Sequence, residues 1–164
     1  MPNNKIIMVP IGVVSSSRVD LVDDHWGSVD SIITIDSPEF SDEALMGLNT
    51  FSHIEVVYHL HRVPTEEIER GARHPRGRTD WPKVGILAQR AKARPNLIGV
   101  SRCQLLSVDG RTLHVRGLDA VDATPVLDIK PYLAGFGPIG EVKQPPWSCE
   151  VMKDYYSFSS PIDS

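Results

Sequence analysis

The sequence predicts an all-β fold with a few short helices, either an antiparallel β-barrel or a β-sandwich. Three observations favour it: short runs of β-branched and apolar residues separated by turn residues, nearly perfect alternation of polar and apolar residues over 52–62, and an Asp109-Gly110 pair typical of a hairpin turn. A barrel or a sandwich is the usual arrangement of such strands, and closure into a barrel leaves no unpaired edge.

The first elements can be assigned in chain order. The runs KIIMVPIGVVSS at 5–16 and SIITID at 31–36 are rich in Ile and Val, which favour strands. Ser41 can cap a short helix over 42–46, because its hydroxyl can accept a hydrogen bond from a free amide at the helix start. Gly47 then ends this helix.

The alternating run SHIEVVYHLHR at 52–62 is the third predicted strand. Thr65 precedes several glutamates, a pattern that indicates one helical turn. The remaining strands are predicted at 84–89, 98–106, 112–115 and 125–129.

Length and composition fit a single barrel domain over 1–142, followed by an irregular arm over 143–164. The chain has 164 residues, of which 41% are hydrophobic, and no apolar run is long enough to span a bilayer. Cys103 and Cys149 lie in unrelated contexts, which excludes a zinc knuckle or a dithiol motif. No cleavable signal sequence is recognisable, so we expect a cytoplasmic protein.

Positive charge is concentrated in one segment. Arg70 to Arg94 contains eight bases and one acid, a net charge of +7, whereas the whole chain carries −4 and the rest therefore −11. Such a run is often only a solvated loop. Because arginine predominates, and its planar fork suits phosphates and carboxylates, a binding surface is the alternative.

The strand at 52–62 carries a row of ionisable groups. Its period of two places His53, Glu55, Val57, His59 and His61 on one face and Ile54, Val56, Tyr58, Leu60 and Arg62 on the other. A His-x-His pair can bind a transition metal, but strand histidines are more often structural or contact a ligand. No third ligand follows at a fixed spacing, so we predict no metal site and keep a metal-binding barrel as an alternative.

Two further strings carry weaker signals. GFGPIG at 135–140 matches G-x-G-x-x-G, but Pro138 removes an amide donor and no helical pattern follows, so a plain loop is predicted. Asp119, Asp122 and Asp128 surround a Thr-Pro pair, where carboxylates can bind ribose hydroxyls or offset a positive ligand. The same pattern is also ordinary turn chemistry.

Three strings together resemble a known family. FSHIEVVYHLHR, VGILAQRAKARPNLIGVS and LDAVDATPVLDIKPYL are similar, in order and spacing, to the three blocks of the TsaA-like (YaeB-like) proteins. The resemblance covers about Ile11 to Leu133. It implies a β-barrel homodimer that binds S-adenosylmethionine and methylates N6 of threonylcarbamoyl-adenosine beside the tRNA anticodon.

The resemblance also implies the residues of the site. It places around the cofactor Asp24, His25, Trp26, His61, Arg62, Arg90, Ser101, Asp122, Ala123, Thr124, Pro125 and Val126. Methyl transfer requires alignment more than a strong base, so His61 is a candidate for positioning and no catalytic base is assigned. The predicted RNA contacts are Arg73, Arg76, Arg78, Lys92 and Arg94.

The chain departs from the family pattern in three segments near the predicted site. Ser15-Ser16-Ser17-Arg18 stands where the family has Arg-Ser-Pro-Phe, and Asp24-His25-Trp26 stands where it has Pro-Arg-Gln. The segment QRAKARPN at 89–96 stands where the family has Thr-Arg-Ser-Pro-Phe-Arg-Pro-Asn. A cofactor-binding module without transferase activity is therefore the second alternative.

Overall fold

Six antiparallel strands form a closed barrel in the computed structural model, which describes residues 4–158. The strands of the described residues are β1 (Gly12–Ser16), β2 (Asp30–Ile35), β3 (His53–His59), β4 (Ala72–Arg73), β5 (Val84–Gly85), β6 (Ile98–Asp109), β7 (Thr112–Arg116) and β8 (Pro125–Pro131). The barrel order is β1-β2-β7-β6-β3-β8, closed by pairing of β8 with β1, and β4 and β5 form a separate two-stranded sheet. The predicted all-β barrel is confirmed.

Helices are short throughout the described residues. The α-helix is α1 (Pro146–Met152), and the 3-10 helices are Asp42–Leu45, Leu48–Thr50, Thr65–Glu67, Pro75–Gly77, Ile86–Ala88, Pro95–Leu97 and Ala134–Phe136. No helix between residues 4 and 158 is both long and apolar enough to cross a membrane.

The barrel interior is filled by alternate residues of each strand. In β3, Ile54, Val56 and Tyr58 are buried, whereas His53 is exposed and Glu55 is only half-buried, as the alternation predicted. The fully buried Ile33, Leu113 and Val115 complete the packing from β2 and β7. The predicted hairpin turn is confirmed, since Gly110 has a φ of 56° between β6 and β7.

Several predicted element boundaries are wrong, for identifiable reasons. Strand 5–16 begins only at Gly12, because β2 and β8 offer pairing partners from that residue onward. Strand 52–62 ends at His59. The strand predicted at 84–89 shrinks to Val84–Gly85, because Gln89 turns inward and donates to the Arg73 and Val84 carbonyls.

The remaining differences are smaller. The helix after Ser41 is a 3-10 helix, and the Ser41 side chain makes no capping hydrogen bond. The strand predicted at 98–106 continues to Asp109. The prediction of an irregular arm missed α1, and residues 159–164 of that arm lie outside the described residues.

Candidate functional site

Asp119 joins the barrel to the C-terminal segment. The Tyr58 hydroxyl donates to Asp119 Oδ1 at 3.0 Å, and the Tyr155 hydroxyl donates to Asp119 Oδ2. Burial, and next the Asp119 charge, raise the pKa of both tyrosines. Both hydroxyls therefore stay protonated and remain donors to the carboxylate.

The C-terminal strap, which we define as residues 153–158, lies along the segment 25–27. The His25 amide donates to the Asp154 carbonyl at 3.0 Å, and the Trp26 amide donates to the Tyr155 carbonyl at 2.8 Å. A methyl group added at Gly27 would lie 1.9 Å from the Tyr156 carbonyl oxygen. Only glycine permits so close an approach of the two backbones.

Tyr156 brings the strap to Ser101 and Arg90. Ser101, on β6, is 2% exposed, and its buried hydroxyl has no hydrogen-bond partner of normal geometry. Burial, and next the charge of Asp119, raise the pKa of Tyr156, while hydrogen bonding with Ser101 and the charge of Arg90 act in the opposite direction. Arg90 itself is exposed and donates to the Val100 carbonyl at 2.8 Å. The Tyr156 ring therefore lies beside a buried hydroxyl and is influenced by the charge of a guanidinium.

Arg18 organises the segment that contains Asp24, His25 and Trp26. Its guanidinium lies 4.2 Å from the centre of the Trp26 ring and donates to the His25 and Asp24 carbonyls at 3.1 and 2.5 Å. The Arg62 guanidinium donates to the neighbouring Val19 carbonyl. Three predicted cofactor residues and Arg62 thus belong to one connected group.

The predicted turn Asp122–Val126 packs on β1. The Ser16 amide donates to Asp122 Oδ1 at 2.9 Å, and the Asp122 amide donates to the Arg18 carbonyl at 2.7 Å. Ala123 has a φ of 62°, and Pro125 is the first residue of β8. The Val14 amide donates to the Thr124 carbonyl, and the Ile11 amide donates to the Val126 carbonyl. Asp122 also lines an open cavity of about 420 Å³ with Ser15, Ser16, Ser17, Asp30, Ser31 and His114. Asp122 thus connects this cavity to Arg18, which contacts the Trp26 ring.

His61 follows β3 and is half-buried. Burial, and next the charges of His59 and Arg62, lower the pKa of His61 below 6.5. The imidazole is therefore neutral at pH 7. Between residues 4 and 158, no three His, Cys, Asp or Glu side chains come together as a metal site would require.

The predicted RNA contacts differ in their surroundings. Arg76 binds Asp24 through two hydrogen bonds of 3.0 and 2.8 Å and also donates to the Val151 carbonyl. Arg78 pairs with Asp80 and lies over the Trp81 ring. Arg73, in β4, has a buried Nε without a partner, Lys92 is exposed, and Arg94 donates to the Gln89 carbonyl. Arg76 and Arg78 therefore already bind carboxylates of this chain.

A family model for the tRNA-methyltransferase O N-terminal domain matches residues 22–137. The chain belongs to this tRNA-methyltransferase O domain family. The family resemblance found in the sequence is therefore confirmed, and the matched range includes β2 to β8 and all the predicted site residues.

Relatives of different lengths share this domain. A probable S-adenosyl-L-methionine-binding protein of Methanothermobacter thermautotrophicus is 40% identical over 147 residues, which are 85% of this chain and 99% of that protein. The human tRNA (adenine(37)-N6)-methyltransferase is 34% identical over 104 residues, 63% of this chain and 23% of that enzyme. The chain thus spans nearly all of the archaeal relative but under a quarter of the human one.

A solved structure of the tRNA-methyltransferase O family agrees with the barrel. The crystal structure of TrmO from Pseudomonas aeruginosa superposes with a TM-score of 0.69 at 26% identity, covering 85% of this chain and 61% of that chain. The chain therefore spans about three fifths of TrmO.

Several residues that contact the strap or the Trp26 segment were not predicted as site residues. Tyr155 and Tyr156 were assigned to an irregular arm, Arg18 was noted only as a departure from the family pattern, and Asp119 was one of three weak carboxylate candidates. The adjacent tyrosines were the available signal, because tyrosine in a chain terminus usually packs its ring and bonds its hydroxyl. The strap packs on the barrel of its own chain.

Proposed function

We propose that this protein is an S-adenosylmethionine-dependent methyltransferase that modifies N6 of threonylcarbamoyl-adenosine next to the tRNA anticodon. The observation that carries the proposal is the buried Ser101 hydroxyl, which has no hydrogen-bond partner of normal geometry and lies beside Tyr156 within a barrel of the tRNA-methyltransferase O family. A buried hydroxyl without a partner is uncommon in folded proteins and fits a position that a ligand completes.

The chemistry of the residues present fits the cofactor. The Arg90 guanidinium suits a carboxylate such as that of a methionine group, and Ser101 can donate a hydrogen bond to a polar ligand atom. Asp119 supplies a carboxylate near the same place, which offsets the positive charge of a sulfonium. Bound S-adenosylmethionine supplies an electrophilic methyl group, and the remaining task of the protein is alignment.

The side chains that would align the substrate with the methyl group keep one protonation state at neutral pH. His61 is neutral because its pKa is lowered, and it can orient an N–H or a lone pair of the substrate. The adenosine N6 nitrogen forms the new bond as the carbon–sulfur bond breaks, with that electron pair left on sulfur. The proton then lost from N6 can pass to water, so no strong base is required.

Exposed positive side chains support the proposed binding of tRNA. Lys92 and Arg70 are exposed, and the ion pairs within residues 4–158 include neither of them. They can therefore bind phosphates without first leaving a carboxylate. Of the residues predicted to contact RNA, Arg73, Lys92 and Arg94 form no ion pair within residues 4–158, so we keep them as proposed RNA contacts. Arg76 and Arg78 already form ion pairs with Asp24 and Asp80.

A homodimer and a cytoplasmic location belong to the same proposal. Large apolar side chains stand exposed at the N-terminal segment and near 136–142, including Ile6, Ile7, Phe136 and Ile139, and such side chains favour association. Cys103 and Cys149 are both free thiols, as in a reducing compartment. Sedimentation at several concentrations measures the dimer directly.

Calorimetry with S-adenosylhomocysteine tests the cofactor part of the proposal. We expect one binding site per chain without added divalent ion. The absence of both heat and thermal stabilisation at millimolar S-adenosylmethionine or S-adenosylhomocysteine would remove the methyltransferase proposal and leave a barrel of another function.

A further inference from the structure

We propose that the C-terminal strap forms the outer wall of the cofactor site, with Tyr156 as the aromatic side chain that packs against the adenine base. This inference rests on the proposed function, because it names a part of the same site. It concerns residues beyond the family-matched range, which ends at 137.

The attachment of the strap is specific. Two main-chain hydrogen bonds hold it to His25 and Trp26, and Gly27 provides the space for the Tyr156 carbonyl. Tyr155 bonds to Asp119, and the His25 ring bonds to the Ser157 hydroxyl at 2.9 Å. Such fixed contacts along one short segment distinguish a built wall from a chain end that lies loosely on a surface.

The contacts just before the strap add to this attachment. The Val151 carbonyl accepts a hydrogen bond from Arg76, and the Trp81 indole donates to Glu150 Oε2 at 2.6 Å. Arg76 at the same time binds Asp24, two residues before Trp26. One guanidinium therefore ties α1 and the Trp26 segment together, which fixes the start of the strap.

The position of Tyr156 indicates a ligand. Tyr155 is the anchored member of the pair, whereas Tyr156 is 42% exposed and lies beside Ser101, whose buried hydroxyl has no hydrogen-bond partner of normal geometry. The two rings meet edge to face with their centres 5.0 Å apart, so the anchored ring orients its neighbour. An oriented aromatic ring next to a buried hydroxyl, with a guanidinium close enough for its charge to act on the ring hydroxyl, suits an adenine nucleoside that carries an anionic group.

Substitutions at Tyr156 test the wall by calorimetry with S-adenosylhomocysteine. Tyr156→Ala is expected to lower the affinity at least about tenfold, the scale of losing one base–aromatic stack, whereas Tyr156→Phe is expected to stay within about threefold. Phe40→Ala, which removes an aromatic side chain that is 37% exposed and lies outside the strap, is the matched control and should bind as the unmodified protein does.

Gly27→Ala tests the wall without changing an aromatic side chain. The added methyl group displaces the strap, so hydrogen exchange at the His25 and Trp26 amides should accelerate at least about tenfold and the affinity for S-adenosylhomocysteine should fall. Circular dichroism and the melting temperature show in the same samples that the barrel is folded.

Three results would overturn the inference. Unchanged S-adenosylhomocysteine affinity in Tyr156→Ala would show that the ring does not contact the ligand, and a higher affinity would show that the ring obstructs the site. Unchanged binding in a folded Gly27→Ala variant with fast amide exchange would show that the strap is not part of the site. If the unmodified protein binds no S-adenosylhomocysteine, the inference falls together with the proposed function, whereas the first two results leave that function standing.

Discussion

Gly99 on β6 lies directly opposite Tyr58 on β3, and a methyl group added at Gly99 would lie 2.3 Å from Tyr58 Cε2. The absence of a side chain at Gly99 leaves room for the tyrosine ring inside the barrel. The ring position in turn directs the Tyr58 hydroxyl to Asp119. The packing of β3 against β6 and the geometry of the site therefore depend on each other.

Gly99→Ala should destabilise the protein by about 1–3 kcal/mol, because the added methyl group overpacks the interior and forces the Tyr58 ring to move. Gly85→Ala is the matched control, since Gly85 is a strand glycine in extended conformation with no atom within 4 Å of an added methyl group. Denaturant unfolding of both variants checks this prediction. Equal losses of stability would show that Tyr58 has free space.

Arg90→Ala should weaken S-adenosylhomocysteine binding by about 2 kcal/mol, roughly thirtyfold, because it removes a charged partner of the ligand carboxylate. Arg70→Ala, at an exposed site in the same basic segment, should cost well under about 1 kcal/mol. Arg73 is a poor control because it lies in β4 with a buried Nε. Calorimetry that gives the same loss for both variants would place the cofactor away from Arg90.

The salt dependence of tRNA binding should distinguish unpaired bases from paired ones. Each phosphate that the protein neutralises contributes roughly 0.7–0.9 to the slope of log affinity against log salt. The double variant Arg70→Ala/Lys92→Ala should therefore lose about 1.4–1.8 in slope, and Arg78→Ala should change the slope less, because Asp80 already binds its guanidinium. Fluorescence anisotropy over a salt series measures both. A larger change with Arg78→Ala than with the double variant would argue against this surface.

The lowered pKa of His61 has a consequence for stability. As the pH falls below about 7, the unfolded chain, in which this histidine titrates near 6.5, takes up a proton before the folded protein does. Stability therefore decreases through that range and continues to do so down to the folded pKa. His61→Asn should reduce this loss in urea unfolding measured between pH 7.5 and 5.5, and an unchanged pH dependence would show that His61 titrates normally in the fold.

The strands of the barrel could be predicted because their pattern is local. The alternation in 52–62 alone distinguishes the buried Ile54 and Val56 from the half-buried Glu55. The boundaries could not be predicted in the same way, because the start of β1 depends on where β2 and β8 pair with it, and these partners are distant in sequence.

The predicted site depends on the family resemblance more than on local pattern. Arg90 and Ser101 lie in strings specific enough to show the family, so they could be predicted as site residues without any knowledge of their contacts. The role of Asp119 depends on Tyr155, which lies 36 residues further along the chain. The binding partner of Arg76 is Asp24, which lies 52 residues away in the sequence. Because this partner could not be identified from the sequence, the charge of Arg76 was interpreted as an RNA contact, whereas the structure shows an ion pair. Long-range partners of this kind leave no periodic signal in a sequence.

Methyl transfer from labelled S-adenosylmethionine to tRNA that carries threonylcarbamoyl-adenosine is the most direct test of the central claim. We predict incorporation that requires the threonylcarbamoyl group, is located on N6 of the adenosine by mass spectrometry of the digested nucleosides, and falls strongly in Arg90→Ala. Cofactor binding by calorimetry in the same preparation, without any methyl group transferred to this tRNA, would contradict the claim and leave a cofactor-binding module.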